Sequence, residues 1–259
     1  MKRRSLIVGA AAGIAAPVIA GAATPAAAAV TDPDAGATSP ALPRGGVVTK
    51  NRASLLTTLP EETTQVVIVG ATSWTTTSAT LETFRKVGSR WTAVSAPLPA
   101  RIGAKGFSDN HVEGVATTPT GVYSFGPTMY GIAANPGVRY PYHSIVTNDW
   151  WNENPDSPAY NTFQHTATNP GGYSEALWKE TPAYTHFAVI TYNMAPNVPK
   201  PVPGAGSGIF LHEFSTTPSG PTAGCVSLSH AHLVGVLTWL NPAAHPRIVL
   251  SPYAVLDRY

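Results

Sequence analysis

From Thr63 onward the chain is a succession of short β-branched or alternating runs broken by Gly- and Pro-rich connections, which predicts strands far more often than helices. Residues 65–70 form a Val/Ile run closed by Gly70. Residues 81–87 alternate apolar and polar positions up to a Gly88-Ser89 turn, and 90–94 resume beyond it, the signature of a hairpin. Further strands are expected at 121–125, 144–147, 187–192, 208–212 and 247–250. Long Pro- and Asn-rich connections, 148–159 and 194–206, read as loops that are either functional or poorly ordered. Helical spacing is found at 229–240, where Ser229 is placed as N-cap, Leu233, Val236, Leu237 and Leu240 recur on one face, and Asn241-Pro242 is the stop. A short, weak helix is expected at 172–178. The body is thus a mainly β domain over residues 63–259 with one short helix near its end, preceded by a flexible leader at 30–62 rich in Ala, Pro, Thr and Ser.

Composition narrows the class. Charged residues make up 12% of the 259, half the usual share, so a charge-rich coiled coil is excluded. The 25 Pro and 23 Gly stay below the level of low-complexity disorder, and six Trp, ten Tyr and seven Phe supply core material. The N-terminus carries Lys2-Arg3-Arg4, then an apolar, Ala-rich stretch interrupted by Pro17, then Ala27-Ala28-Ala29. These are the three parts of a secretory signal, with Arg3-Arg4 resembling the bacterial twin-arginine type, so residues 1–29 are expected to be removed after export. No transmembrane anchor is expected after cleavage. The remaining chain has 13 basic and 14 acidic residues, which gives no basic surface for nucleic acid, and no Gly-rich loop after a strand suggests a nucleotide cofactor.

Export also changes the reading of the single cysteine. Cys225 has no partner for an intrachain disulfide, so it is either a reactive thiol or a small buried hydrophobe. Its surroundings favour reactivity. Residues 208–212 are a strand delivering His212 at its end, and Thr222-Ala223-Gly224-Cys225-Val226-Ser227-Leu228 follows, then the helix. An imidazole can take the thiol proton, a nearby helix start lowers the thiol pKa, and the amides of Gly224 and Cys225 can meet a developing oxyanion. His230 and His232 with His212 and Cys225 would make a poor zinc site, since positions two apart on a helix point different ways, and no metal is expected.

With these residues in view, the stretch from about 90 to 250 resembles the L,D-transpeptidase catalytic domain (YkuD-like) family. The carriers are His212 followed by Thr222-Ala223-Gly224-Cys225-Val226-Ser227, the upstream Glu113-Gly114 with Thr118-Pro119-Thr120-Gly121, and Trp150-Trp151 with Ser157 and Tyr160-Asn161. Ala223 and Ser227 depart from the motif, which has a His and an Arg or Asn there. The resemblance implies a β-sandwich or barrel and a cysteine-dependent acyltransferase without cofactor. In it Cys225 is the nucleophile and His212 the base, with Gly224 and Cys225 as the oxyanion backbone. Beside the resemblance, Thr222 and Ser227 are read as candidates to support the thiol, and Trp151 and Tyr160 sit in a loop that either closes over the site onto substrate or is pinned to the body by its aromatics. The implied substrates are peptidoglycan stem peptides, joined into 3→3 cross-links with release of D-Ala. An L,D-carboxypeptidase using water, or a wall-binding module without turnover, would keep the same fold. Glu113 is expected to cap a turn, His186 to be structural, and His111 has no assigned role.

Overall fold

The computed structural model describes residues 50–216 and 219–259. The proposed signal, its cleavage point and most of the leader lie outside these residues. Among the described residues fifteen strands follow one another: β1 (Gln65–Ala71), β2 (Ser78–Val87), β3 (Arg90–Ala93), β4 (Leu98–Arg101), β5 (Phe107–Ser108), β6 (Thr118–Pro119), β7 (Gly121–Gly131) and β8 (Tyr142–Ser144). Then come β9 (Asp149–Asn152), β10 (Thr162–His165), β11 (Glu175–Ala176), β12 (Phe187–Ile190), β13 (Phe210–Glu213), β14 (Val226–Leu228), the helix α1 (His230–Trp239), and β15 (Arg247–Pro252).

Eight of these strands close a barrel in the order β1-β15-β7-β12-β13-β14-β4-β2, because β2 also pairs with β1. The expected 81–87/90–94 hairpin is β2–β3, paired in register from Phe84↔Ala93 to Val87↔Arg90. Two pairs in the ring are parallel, β1 with β15 and β13 with β14. Inward positions on alternate residues, among them Val67, Val69, Leu81, Leu211, Val226, Leu228, Ile248 and Leu250, form one apolar core. Helix α1 closes that core with Leu233, Val236 and Leu237, each Leu contributing about 1.5–3 kcal/mol by burial.

The outer faces are covered as well, which explains why β1 is apolar at nearly every position rather than alternating. On one side Val66, Ile68 and Val249 pack with Ala53 and Leu256. On the other, Phe187, Val189, Phe210 and Cys225 lie beneath a separate three-stranded sheet, β10-β9-β11, through Trp151 and Leu177. This second sheet is where expectation and structure part. The supposed loop 148–159 contains β9, which is buried at all four positions and so shows no alternation to read. The stretch 172–178 is not an α-helix but β11 followed by a 3-10 turn, Leu177–Lys179. Strand β8 ends at Ser144, where the sequence had suggested one beginning. Ser229 takes the extended N-cap backbone of α1, but its hydroxyl makes no capping hydrogen bond.

Candidate active site

Strands β13 and β14 run in parallel with Leu211 opposite Val226 and His212 opposite Ser227. One step back, Phe210 faces Cys225. Leu211 and Val226 point into the barrel, while Phe210 and Cys225 belong to the outer cluster under the small sheet. By alternation His212 and Ser227 share that outer face. His212 and Cys225 are therefore diagonal neighbours on one surface, a spacing of about 7–8 Å that an imidazole and a thiol can bridge.

Each group is held from its backbone side. The Cys225 thiol donates to Gly208 O at 3.2 Å, and the Phe210 amide donates to Cys225 Sγ at 3.3 Å. His212 Nδ1 lies 2.6 Å from Glu213 O, which fixes the proton on Nδ1 and leaves Nε2 as an acceptor. Burial disfavours the charged ring, and against the smaller opposing effect of the Glu213 hydrogen bond it pushes the His212 pKa down to about 4. The imidazole is thus a neutral base at neutral pH. The strand β14 intervenes between Cys225 and α1, so the helix start lies about 10 Å further along the chain and the helix-dipole effect anticipated from sequence falls away.

The depressed His212 pKa has a consequence for stability. The folded chain binds fewer protons than the unfolded one between about pH 4 and the ordinary imidazole value near 6.5, so stability is full above 6.5 and declines as pH falls toward 4. The expected loss from this residue is about 3 kcal/mol. Urea denaturation across that range should show the decline in the unaltered protein and a shallower one in His212→Gln; equal slopes would count against it.

The turn before Cys225 is tied by Thr222, whose hydroxyl donates to Cys225 O at 2.6 Å and receives the Gly224 amide at 3.1 Å. The Gly224 amide is thus occupied inside its own turn. Gly224 itself sits at φ +155°, with Thr117 O only 2.9 Å from where a Cβ would be, so no larger residue fits. Ser227 is buried on β14 opposite His212.

Trp151 and Tyr160 are both buried. The Trp151 indole stands edge-on to Phe210 at 5.0 Å and donates to Asn161 Oδ1 at 2.9 Å. The same Asn161 oxygen accepts from the Gly208 amide at 3.1 Å, so the small sheet grips the residue whose carbonyl holds the thiol. Tyr160 donates to Glu113 Oε2 at 2.6 Å, and burial followed by this bond raises its pKa. Ser207 donates to the same oxygen at 2.5 Å. Glu113 also takes the Gly114 amide at 3.2 Å on its other oxygen, the turn cap expected of it. Of the two readings of their loop, the structure thus has the one in which Trp151 and Tyr160 are pinned to the body.

Other neighbours had no legible signal. Tyr184 meets His212 edge-on at 5.7 Å and donates to Glu175, while its pKa is raised well above the ordinary value by burial, then by the charges of Glu175 and Cys225. Glu153 is buried, with its carboxylate against Gly208. Asp149 anchors β9 by taking His143 Nε2 at 2.8 Å, His165 Nδ1 at 2.7 Å and the Val146 amide at 2.8 Å. Burial would raise its carboxyl, but these bonds outweigh it and hold the pKa below the usual value. His186 is buried with Nδ1 2.8 Å from the Tyr142 hydroxyl, a structural place. His230 turns to Glu213 at 2.8 Å. No group of three or more metal-ligating side chains occurs among the described residues.

The family model of the L,D-transpeptidase catalytic domain (YkuD) matches residues 61–249, which includes the whole barrel up to β15 and every residue of this site. The chain belongs to the L,D-transpeptidase catalytic domain family. No curated protein matches it. Among solved structures it is similar to the helical cell shape determining protein Pgp2 from Campylobacter jejuni, with 15% identity and a TM-score of 0.37 over 72% of this chain and 47% of that one. The K307A mutant of Pgp2 aligns with 13% identity and a TM-score of 0.37, over 76% and 53%. The chain thus spans about half the length of these structures. Within the L,D-transpeptidase domain, no helix among the described residues is long and apolar enough to cross a membrane.

Proposed function

We propose that this protein is an exported peptidoglycan acyltransferase that forms 3→3 cross-links. The observation carrying this reading is the Cys225 thiol, seated between Gly208 O and Phe210 N with the buried His212 imidazole diagonal to it on the same face. Nε2 of His212 takes the thiol proton as the sulfur attacks the carbonyl preceding the terminal D-Ala of a donor stem peptide. The proton passes to the departing D-Ala amine, leaving a thioester on Cys225. The side-chain amine of a neighbouring diamino acid then attacks the thioester, and the thiol is restored. Backbone amides at the turn support the oxyanion, the Cys225 amide foremost because that of Gly224 is bonded to Thr222. The export signal at residues 1–29 would bring this chemistry to the cell wall.

The test is intact-mass spectrometry of the domain after incubation with a carbapenem or a stem tetrapeptide. One adduct per chain is expected, and none on Cys225→Ala. An adduct that persists in Cys225→Ala would reject the nucleophile. With tetrapeptide, products carrying an acceptor amine indicate transfer, whereas a free tripeptide indicates the carboxypeptidase reaction.

A further inference from the structure

On the acyl-transfer reading above, we propose that His111 is the positioning residue of the nucleophile turn, holding Gly224–Cys225 at a fixed separation from the 206–208 backbone that receives the thiol. His111 is only 7% exposed and lies far from Cys225 in sequence. Its Nδ1 is 2.9 Å from Thr117 Oγ1, its carbonyl accepts from the Tyr192 hydroxyl at 3.0 Å, and its ring stands edge-on to Tyr192 at 5.2 Å. Those contacts fix the plane of the imidazole.

What the ring then touches is two backbones. A Cβ built on Gly206 would lie 2.5 Å from His111 Cδ2 and 2.6 Å from Nε2, so that edge of the ring rests directly on the Gly206 main chain. The Cε1 atom faces Gly224, 3.5 Å from the corresponding point. Gly206 stands two residues before Gly208, whose carbonyl takes the thiol, and Gly224 immediately precedes the thiol itself. A ring wedged between these two segments sets the distance from sulfur to its acceptor. The neighbouring residue completes the clamp, since the Thr118 hydroxyl donates to Gly224 O at 2.8 Å. Ala223, the residue that precedes Gly224, is exposed and carries only a methyl group, so the turn receives its imidazole support from a distant part of the chain.

Displacement of a nucleophile by about 1 Å costs about 10²-fold in rate without weakening substrate binding. The experiment compares the unsubstituted protein with His111→Ala, His111→Asn and Thr117→Val, following carbapenem acylation by intact mass. Each variant is also checked by thermal melting and by alkylation of Cys225 with iodoacetamide. In folded His111→Ala the maximal acylation rate should fall about 10²-fold with the half-saturating concentration and alkylation little changed. His111→Asn, which returns an amide nitrogen toward Thr117, should recover part of that loss. Thr117→Val, close in shape but without the hydroxyl, should show a smaller loss of the same kind, and it decides the matter should His111→Ala not fold. Wild-type acylation in a folded variant would overturn the positioning role. So would a loss confined to half-saturation, or one shared equally by alkylation. An unsubstituted protein that alkylates but never acylates would overturn the transfer reading itself, and this role with it.

Discussion

His212→Gln is expected to lower the maximal rate of Cys225 acylation by about 10²–10⁴-fold, the usual contribution of a positioned general base. Gln is polar and similar in reach, so the pocket stays filled and its amide can still donate to Glu213 O as Nδ1 does now. It cannot accept a proton. The pH profile sharpens the expectation. Because burial holds the His212 pKa at about 4, the imidazole is a free base throughout the neutral and mildly acidic range. The acylation rate of the unaltered protein should therefore lose its acid limb near pH 4 rather than near 6.5, where an exposed histidine would titrate. The residual rate of His212→Gln should lack that limb. Stopped-time mass spectrometry between pH 3.5 and 8, values chosen to bracket roughly these two ionisations, provides both readings. An acid limb unchanged by the substitution would assign it to another group.

Phe187→Ala should be the most destabilising single truncation outside the barrel interior, at about 3–5 kcal/mol. Phe187 is fully buried, stacks on Tyr130 at 5.2 Å and packs at a tilt against Phe210 at 4.9 Å and Tyr184 at 4.8 Å. Removing the ring costs its transfer energy, the aromatic contacts and a cavity between the barrel wall and the small sheet. Against a total of about 5–15 kcal/mol, that is a large share. For a domain of this size the melting temperature should drop by about 10 °C or more. Calorimetry measures it, and a drop of only a degree or two would mean that Phe210 and Tyr184 collapse into the gap. Since Phe210 also presents its amide to the sulfur, the same variant should acylate more slowly even below its melting point.

The barrel was legible where strands carry their own punctuation. Residues 65–70, the 81–87/90–94 hairpin and 247–250 each end at Gly, Pro or a turn, and each is a strand. The helix was legible from Leu233, Val236 and Leu237, whose burial is what their spacing implied. The small sheet was not. Its strands are short and its central one is buried at every position, so Asp149–Asn152 offers neither alternation nor length. Of the site, Cys225 and His212 stood out because few residue types perform nucleophilic chemistry. Tyr184 and Glu153 did not, because they act through contacts between distant segments. Asn161 held one local hint, an αL backbone at φ +58° that Asn tolerates well, but only the folded chain shows it gripping Gly208.

Placing the thiol on the outer wall of a closed barrel separates two tasks within one chain. The interior answers only to packing, so its aliphatic positions can drift in size and shape without passing through the chemistry. The small sheet and its loops answer to whatever molecule must reach the sulfur, and they can be recut while the hydrogen-bonded ring beneath stays intact. Such a division lets a lineage change what it accepts as substrate without renegotiating how it folds.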